Sequence, residues 1–95
     1  MSRRAITDQS WFFYIVRCQD DSLYSGIAID LEDRLREHNK GTGAKYTSVR
    51  RPVTLVYCER YDNVNRARKR EEQIKGWSKI KKERLIGGFP RLRSE

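Results

Sequence analysis

The segment Trp11-Phe12-Phe13-Tyr14-Ile15-Val16-Arg17-Cys18 is short, aromatic and β-branched, with little polar interruption. That is the composition of a strand covered on both faces, so the chain must build a sheet with other elements against it. Gln19-Asp20-Asp21-Ser22 carries turn chemistry, because Asp and Ser side chains bond their own backbone. Leu23-Tyr24-Ser25-Gly26-Ile27-Ala28 returns as the second strand of a hairpin. Asp30 is placed to cap a helix over Leu31 to His38, with Glu32 and Asp33 favourable in its first turn, and Lys40-Gly41-Thr42-Gly43 ends it. Arg51-Pro52 introduces a third strand, Val53 to Cys58. A second helix starts near Asn63 or Asn65 and runs to Lys75-Gly76, where Gly is a natural helix-ending residue. Ser78 caps a third helix over Lys79 to Ile86, stopped by Gly87-Gly88. The order β-β-α-β-α-α predicts an α+β fold, a small three-stranded antiparallel sheet flanked by helices. With 95 residues, the chain holds one domain, read as residues 11–86, between flexible tails at 1–10 and 87–95.

A core this thin makes ionisable residues on its helix faces conspicuous. The apolar stripe from Leu31 reads Leu31, Arg34, Leu35, His38 and includes the chain's single histidine. The stripe of the second helix is Ala67, Arg70, Glu71, Ile74, Trp77. A charge beside the core costs several kcal/mol unless it is paired or used. Two readings stay open from periodicity alone. In one, Arg34 and Glu71 form an ion pair at the sheet edge and His38 is a half-exposed helix residue. In the other, the three face a functional cleft. Tyr14 and Tyr24 share a sheet face only if the turn between their strands has an odd number of residues; Asp20-Asp21-Ser22 would align them. Gly26 marks a bulge or the close approach of another backbone.

Twenty-one Lys and Arg face thirteen Asp and Glu, a formal net charge of +8. Such a balance suits a polyanion, of which nucleic acid is the commonest, although a solvated surface would read the same. Lys40, Lys45, Arg50 and Arg51 cluster without an acidic residue around Tyr46, and Arg66 to Arg84 holds nine Lys and Arg against three Glu. Basic stretches with interleaved aromatics suit phosphate tracking and base stacking. Gly26, Lys40, Lys45, Tyr46, Arg50, Arg51, Arg70 and Lys75 are the expected nucleic-acid contacts; Arg3, Arg4, Arg91 and Arg93 belong to the tails. No apolar run approaches the roughly 18 residues of a membrane span, and the start lacks the apolar stretch of a secretory signal. Cys18 and Cys58 stand far apart, outside any CxxC or zinc spacing. The chain is therefore expected to be cytoplasmic, monomeric and away from membranes.

These residues in this order resemble the GIY-YIG endonuclease superfamily, specifically its small stand-alone bacterial members. Phe12-Phe13-Tyr14 stands at the first signature triplet and Tyr24-Ser25-Gly26 at the second. Arg34 and His38 follow on the next helix, Gly43-Ala44-Lys45-Tyr46-Thr47 and Arg51-Pro52-Val53 fall in the linker and third strand, and Ala67-x-x-x-Glu71-x-x-Ile74-Lys75 matches the later helix. The likeness spans residues 11–86. The first triplet keeps only its Tyr, Ser25 replaces an apolar residue, Ile27 stands where several relatives carry Lys, and the late Asn of some members has no equivalent.

The resemblance implies a metal-dependent endonuclease hydrolysing phosphodiester bonds, in DNA more than RNA, with roles in repair, recombination or processing. It assigns Glu71 to one divalent cation, Mg²⁺ or Mn²⁺, and Arg34 to the scissile phosphate. Tyr14 or Tyr24 becomes the general base, with His38 as a competing base or orienting partner. A module this small has little surface for reading sequence, so nonspecific or structure-selective action is expected, single-stranded DNA included, or a protein partner that supplies specificity. A non-catalytic DNA- or RNA-binding module on the same scaffold is the alternative.

Overall fold

In the computed structural model, which describes residues 9–88, the aromatic run becomes the middle strand of an antiparallel sheet. β1 (Trp11–Arg17) lies between β2 (Leu23–Ala28) and β3 (Thr54–Tyr61). Residues 1–8 and 89–95, which hold most of both expected tails and their four arginines, lie outside the described residues. Ser10, placed in the N-terminal tail, accepts a hydrogen bond from Arg60 Nε at 2.8 Å.

Alternation along β1 divides the core in two. Phe13 and Ile15 face one side, where Tyr57, Ile74 and Ile86 complete the cluster. Tyr14 and Val16 face the other, with Cys18, Ala28 and Val53, and with Leu31 and Leu35 packed against them. The second layer on the first side is α3 (Val64–Lys75) and α4 (Lys79–Gly87); on the other it is α1 (Leu31–Lys40), followed by a single turn, α2 (Lys45–Ser48). No helix among the described residues is long and apolar enough to cross a membrane.

The starts of α1, α3 and α4 follow from side-chain caps. Asp30 Oδ1 accepts from Asp33 N at 3.0 Å, Asn63 Oδ1 from Arg66 N at 2.9 Å and Ser78 Oγ from Lys81 N at 3.2 Å. Asn63, not Asn65, therefore sets the start of α3. α1 ends on Gly41, at φ 91°, with Thr42 N donating to Glu37 O and Gly41 N to His38 O. Just before it, Asn39 takes the Val53 N–H at 2.7 Å and donates to the Val53 carbonyl at 3.1 Å, which fixes the end of α1 to the approach of β3.

The hairpin turn is Gln19-Asp20-Asp21, one residue earlier than expected. Cys18 N donates to Ser22 O at 2.8 Å, Asp21 N to Cys18 O at 2.9 Å, and Asp21 adopts φ 73°, the three-residue loop with a left-handed last position. The turn is odd, so Val16 pairs with Tyr24 and Tyr14 with Gly26, and both tyrosines share one face.

β3 differs more, running from Thr54 to Tyr61 rather than from Val53 to Cys58. A register shift between Ile15 and Val16 accommodates it, and its polar second half is held by charge. Glu59 accepts from Arg70 Nε and Nη2 at 2.9 and 3.0 Å, and from the hydroxyls of Tyr57 and Tyr61. Burial would raise the Glu59 carboxyl, but these donors outweigh it and hold it below the usual range. On the same side, Arg17 grips Glu83 of α4 through two bonds of 2.7 and 2.8 Å.

Ile74 is fully buried and seats α3 on β1. Ile74→Ala should cost about 2–5 kcal/mol, read as a lower urea midpoint; a loss below about 1 kcal/mol would show that α3 is seated by other contacts.

Candidate active site

Tyr14 projects from the middle of the sheet toward α1 and is 3 % exposed. Its ring fits because the residue opposite has no side chain. A Cβ on Gly26 would stand 2.6 Å from Tyr14 Oη and 2.9 Å from Cζ. Gly26, expected at a nucleic-acid contact, makes room for the tyrosine. Across from Tyr14, the last turn of α1 delivers His38, which is fully buried rather than half-exposed. Nε2 of His38 lies 2.9 Å from Tyr14 Oη, and Nδ1 lies 2.8 Å from Thr47 Oγ1 on α2. Tyr24 meets the same imidazole edge-on, ring centres 5.4 Å apart, and Tyr46 stacks on Tyr24 at 5.8 Å.

Burial pushes the Tyr14 phenol far above its ordinary value; Arg34 opposes this, while Tyr24, Glu37 and Glu71 add to it. Burial also holds His38 below its ordinary 6.5, helped by Arg34 and opposed by Glu37. Arg34 and Glu71 therefore both act on Tyr14, but they do not pair with each other. Arg34 contacts Glu37 at 3.4 Å and Glu71 contacts Lys75 at 3.8 Å. The reason lies in the layers: α1 covers one face of the sheet and α3 the other, so Glu71 reaches the tyrosines only around the edge strand β2. There it lines a hollow of about 300 Å³ with Leu23, Tyr24, Ser25, Tyr46, Lys75 and Lys82. Arg34 lines a separate hollow of about 250 Å³ with Trp11, Ile27, Asp33 and Glu37 among others. Tyr24, Arg34, His38 and Glu71 thus approach Tyr14 from different sides, Arg34 and His38 from α1 and Glu71 from α3 past the edge of β2.

The expected nucleic-acid contacts divide. Lys40 and Lys45 are exposed and meet no acidic partner among the described residues, and Tyr46 sits at the rim of the Glu71 hollow. Arg50 is committed elsewhere: it lies 3.8 Å over the Tyr46 ring, donates to the Tyr46 carbonyl and pairs with Asp20 at 3.1 Å. Arg51 donates to the carbonyls of Ser48 and Asn39, and Arg70 to Glu59. Local carbonyls, a ring and carboxylates thus hold these three arginines in the free chain. Trp77 packs on the core, with Lys81 4.4 Å over its ring.

Comparison with known proteins places the chain in a family. The family model of the GIY-YIG catalytic domain matches residues 10–84. The chain belongs to the GIY-YIG family. UPF0213 proteins of Staphylococcus aureus strains Mu3 and Mu50 are each 56 % identical to it over 77 residues, covering 81 % of this chain and 94 % of theirs. A UPF0213 protein of Bacillus halodurans, solved by solution NMR, is 36 % identical with a TM-score of 0.54, covering 82 % of this chain and 83 % of that one. A protein of E. faecalis, also solved by NMR, is 35 % identical with a TM-score of 0.59 over 100 % of this chain and 96 % of that one.

Within this GIY-YIG chain, three residues matter that sequence reasoning passed over. Thr47 is fully buried against His38. Gly43 lies so close that a Cβ there would meet His38 Nδ1 at 2.6 Å. Lys82, one of many lysines in its stretch, lines the Glu71 hollow from α4. None stands in a periodic pattern; only the absence of a side chain at Gly43 hinted at a close approach.

Two outcomes follow from the Tyr14–His38 contact. Gly26→Ala should destabilise by about 1–3 kcal/mol through overpacking and displace the Tyr14 ring, seen by urea unfolding and ring chemical shifts; an unchanged ring environment would contradict the fit. His38 is faced by Tyr14, Tyr24, Thr47, Arg34 and Glu37. Below pH 6.5 the unfolded chain takes a proton that folded His38 resists, so the unfolded state binds more protons and stability falls with falling pH. The carboxylates held low act only below about pH 4.5, leaving the range from about 6.5 to 5 to this histidine. An NMR titration of the single imidazole should give a midpoint below 6.5; a higher midpoint would overturn the assignment.

Proposed function

We propose that this GIY-YIG chain is a divalent-metal-dependent endonuclease that hydrolyses phosphodiester bonds in nucleic acid, DNA before RNA, without extended sequence readout. The observation that carries the reading is a buried Tyr14–His38 pair beside a hollow whose single carboxylate is Glu71 and whose rim carries Lys75 and Lys82. The donor chemistry fits the cation. Among the described residues no three His, Cys, Asp or Glu gather as a metal cluster, and Glu71 offers one hard oxygen ligand, its side chain 18 % exposed. Mg²⁺ and Mn²⁺ accept such a site, because Mg²⁺ keeps several waters and takes one or two carboxylates plus phosphate oxygens. A structural zinc site would need four protein ligands. When bound, the cation supplies neutralisation of phosphoryl charge.

The chain's own groups account for the remaining steps. Arg34, planar and always charged, holds a non-bridging phosphate oxygen. An attacking water gives its proton to Tyr14 Oη as Tyr14 gives its own to His38 Nε2; the water oxygen bonds to phosphorus, the bond to the leaving oxygen breaks, and that oxygen takes a proton from solvent. Tyr14 is favoured over Tyr24 as base because it has an acceptor 2.9 Å away to receive its proton, which a phenol raised by burial requires. Tyr24 and Tyr46 line the hollow where the strand would lie.

The test is a panel of labelled single-stranded, duplex, flap and junction DNA, and RNA, each with Mg²⁺, Mn²⁺ or EDTA. Cleavage should need the metal, fall at least about 10²-fold in Glu71→Ala and about 10²–10⁴-fold in Tyr14→Phe, with binding retained in both. Salt-sensitive binding with no scission on any substrate would identify a binding module instead.

A further inference from the structure

His38 is buried, and each of its ring nitrogens has one partner among the described residues: Tyr14 Oη at 2.9 Å from Nε2 and Thr47 Oγ1 at 2.8 Å from Nδ1. Heavy-atom positions alone leave the tautomer open, but the partners decide it. The Thr47 hydroxyl has one hydrogen, and 3.2 Å away lies the Ala44 carbonyl, which can only accept. With its hydrogen on Ala44, Thr47 turns a lone pair to His38, and Nδ1 must carry the proton.

The other end requires the same direction. Tyr14 is buried, and its one hydrogen-bond partner among the described residues is Nε2. Were Nε2 the donor, the Tyr14 hydroxyl hydrogen would be buried without an acceptor, a costly arrangement. With Nδ1 protonated, all three groups are satisfied in one line: Tyr14 donates to His38, His38 to Thr47, Thr47 to Ala44.

We propose that Thr47 is a positioning residue that fixes His38 in the Nδ1–H tautomer, so that bare Nε2 is held as the acceptor of the Tyr14 proton. One turn of helix, α2, presents it. Ser48 N donates to Ala44 O at 2.9 Å, Arg50 N to Thr47 O at 3.0 Å, and the Arg50 guanidinium to Tyr46 O at 2.9 Å. Gly43 lets the preceding backbone close over the imidazole. The catalytic meaning rests on the endonuclease reading; the tautomer does not. In the reaction, Nε2 gains the proton that leaves Tyr14 while Nδ1 keeps its own on Thr47. The resulting imidazolium donates at both nitrogens, and no proton passes beyond Thr47.

Because the chain has one histidine, ¹⁵N labelling and long-range ¹H–¹⁵N correlation report this ring alone. At neutral pH the full chain should show protonated Nδ1 and unprotonated Nε2. Thr47→Ser, which keeps the hydroxyl, should retain that pattern. Thr47→Val, similar in shape but without it, should lose the pattern and cleave at least about tenfold more slowly with KM unchanged. Protonated Nε2 in the wild type overturns the proposal even if Thr47→Val does not fold. So does a folded Thr47→Val that keeps the wild-type pattern and rate. If the tautomers are as expected and the wild type cleaves nothing, the endonuclease reading fails and the assignment of Thr47 stands.

Discussion

A strand buried on both faces leaves no outlet to solvent for a polar group, and β1 carries one in its middle. Phe13, Ile15 and Val16 satisfy the constraint with hydrocarbon, but Tyr14 brings a hydroxyl into the interior. An unsatisfied buried hydroxyl costs about 1–3 kcal/mol, a large share of the stability of a small domain. The hydroxyl takes the imidazole of His38, the imidazole takes Thr47, and Thr47 takes a backbone carbonyl. Each link obliges the next, so the position of β1 dictates where α1 must end and why a separate turn of helix lies beyond it. The two glycines that would otherwise collide with this line, Gly26 and Gly43, mark where the backbone gives it space.

The net charge of +8 is spent in two ways. Arg17 and Arg70, each half-buried, form two-bond contacts with Glu83 and Glu59, and these bind α4 and α3 to the side of the sheet away from Tyr14. Fixed geometry of that kind is where surface ion pairs contribute most. Arg50 is likewise committed to Asp20 and Tyr46. Lys40, Lys45 and Lys82 lack an acidic partner among the described residues, and Lys82 reaches the hollow that holds Glu71. Arg17, Arg50 and Arg70 thus serve the architecture, while Lys40, Lys45 and Lys82 remain available to a polyanion; beside Tyr14, Arg34 pairs among the described residues with its helical neighbour Glu37.

Much of this was legible in the residues. The aromatic run located the central strand, Asp30 and Ser78 located helix starts, and the parity of a short turn put both tyrosines on one face. Local chemistry also misled in specific ways. Periodicity on α1 and α3 shows which stripe faces the sheet but not which side of the sheet each helix occupies, so Arg34 and Glu71 looked like partners when they lie in opposite layers. β3 extends past Cys58 because Arg70, distant in sequence, neutralises Glu59; the polar end of the strand resembles a loop until that partner is known. Thr47 lies in one turn of helix, too short to show a period, and its role depends entirely on a histidine folded against it. What the sequence conceals here is pairing across layers, since that information belongs to two segments at once.

Burial acts on Tyr14 and His38 in opposite directions on the pKa scale but toward the same state. It raises the phenol and lowers the imidazole, and both shifts keep the pair neutral. Arg34 breaks that symmetry: it favours a tyrosinate and disfavours an imidazolium. Under the endonuclease reading this has a direct consequence. A phosphate that settles on Arg34 offsets its charge and removes one of the two causes holding His38 low, while adding a negative charge that favours the imidazolium further. In the absence of substrate the same pair resists charge separation, because burial, the largest influence on both groups, penalises a tyrosinate and an imidazolium alike. On that reading, Arg34 as the phosphate ligand would also govern the readiness of His38 to take the proton, and the chemistry would be tied to occupancy of the site.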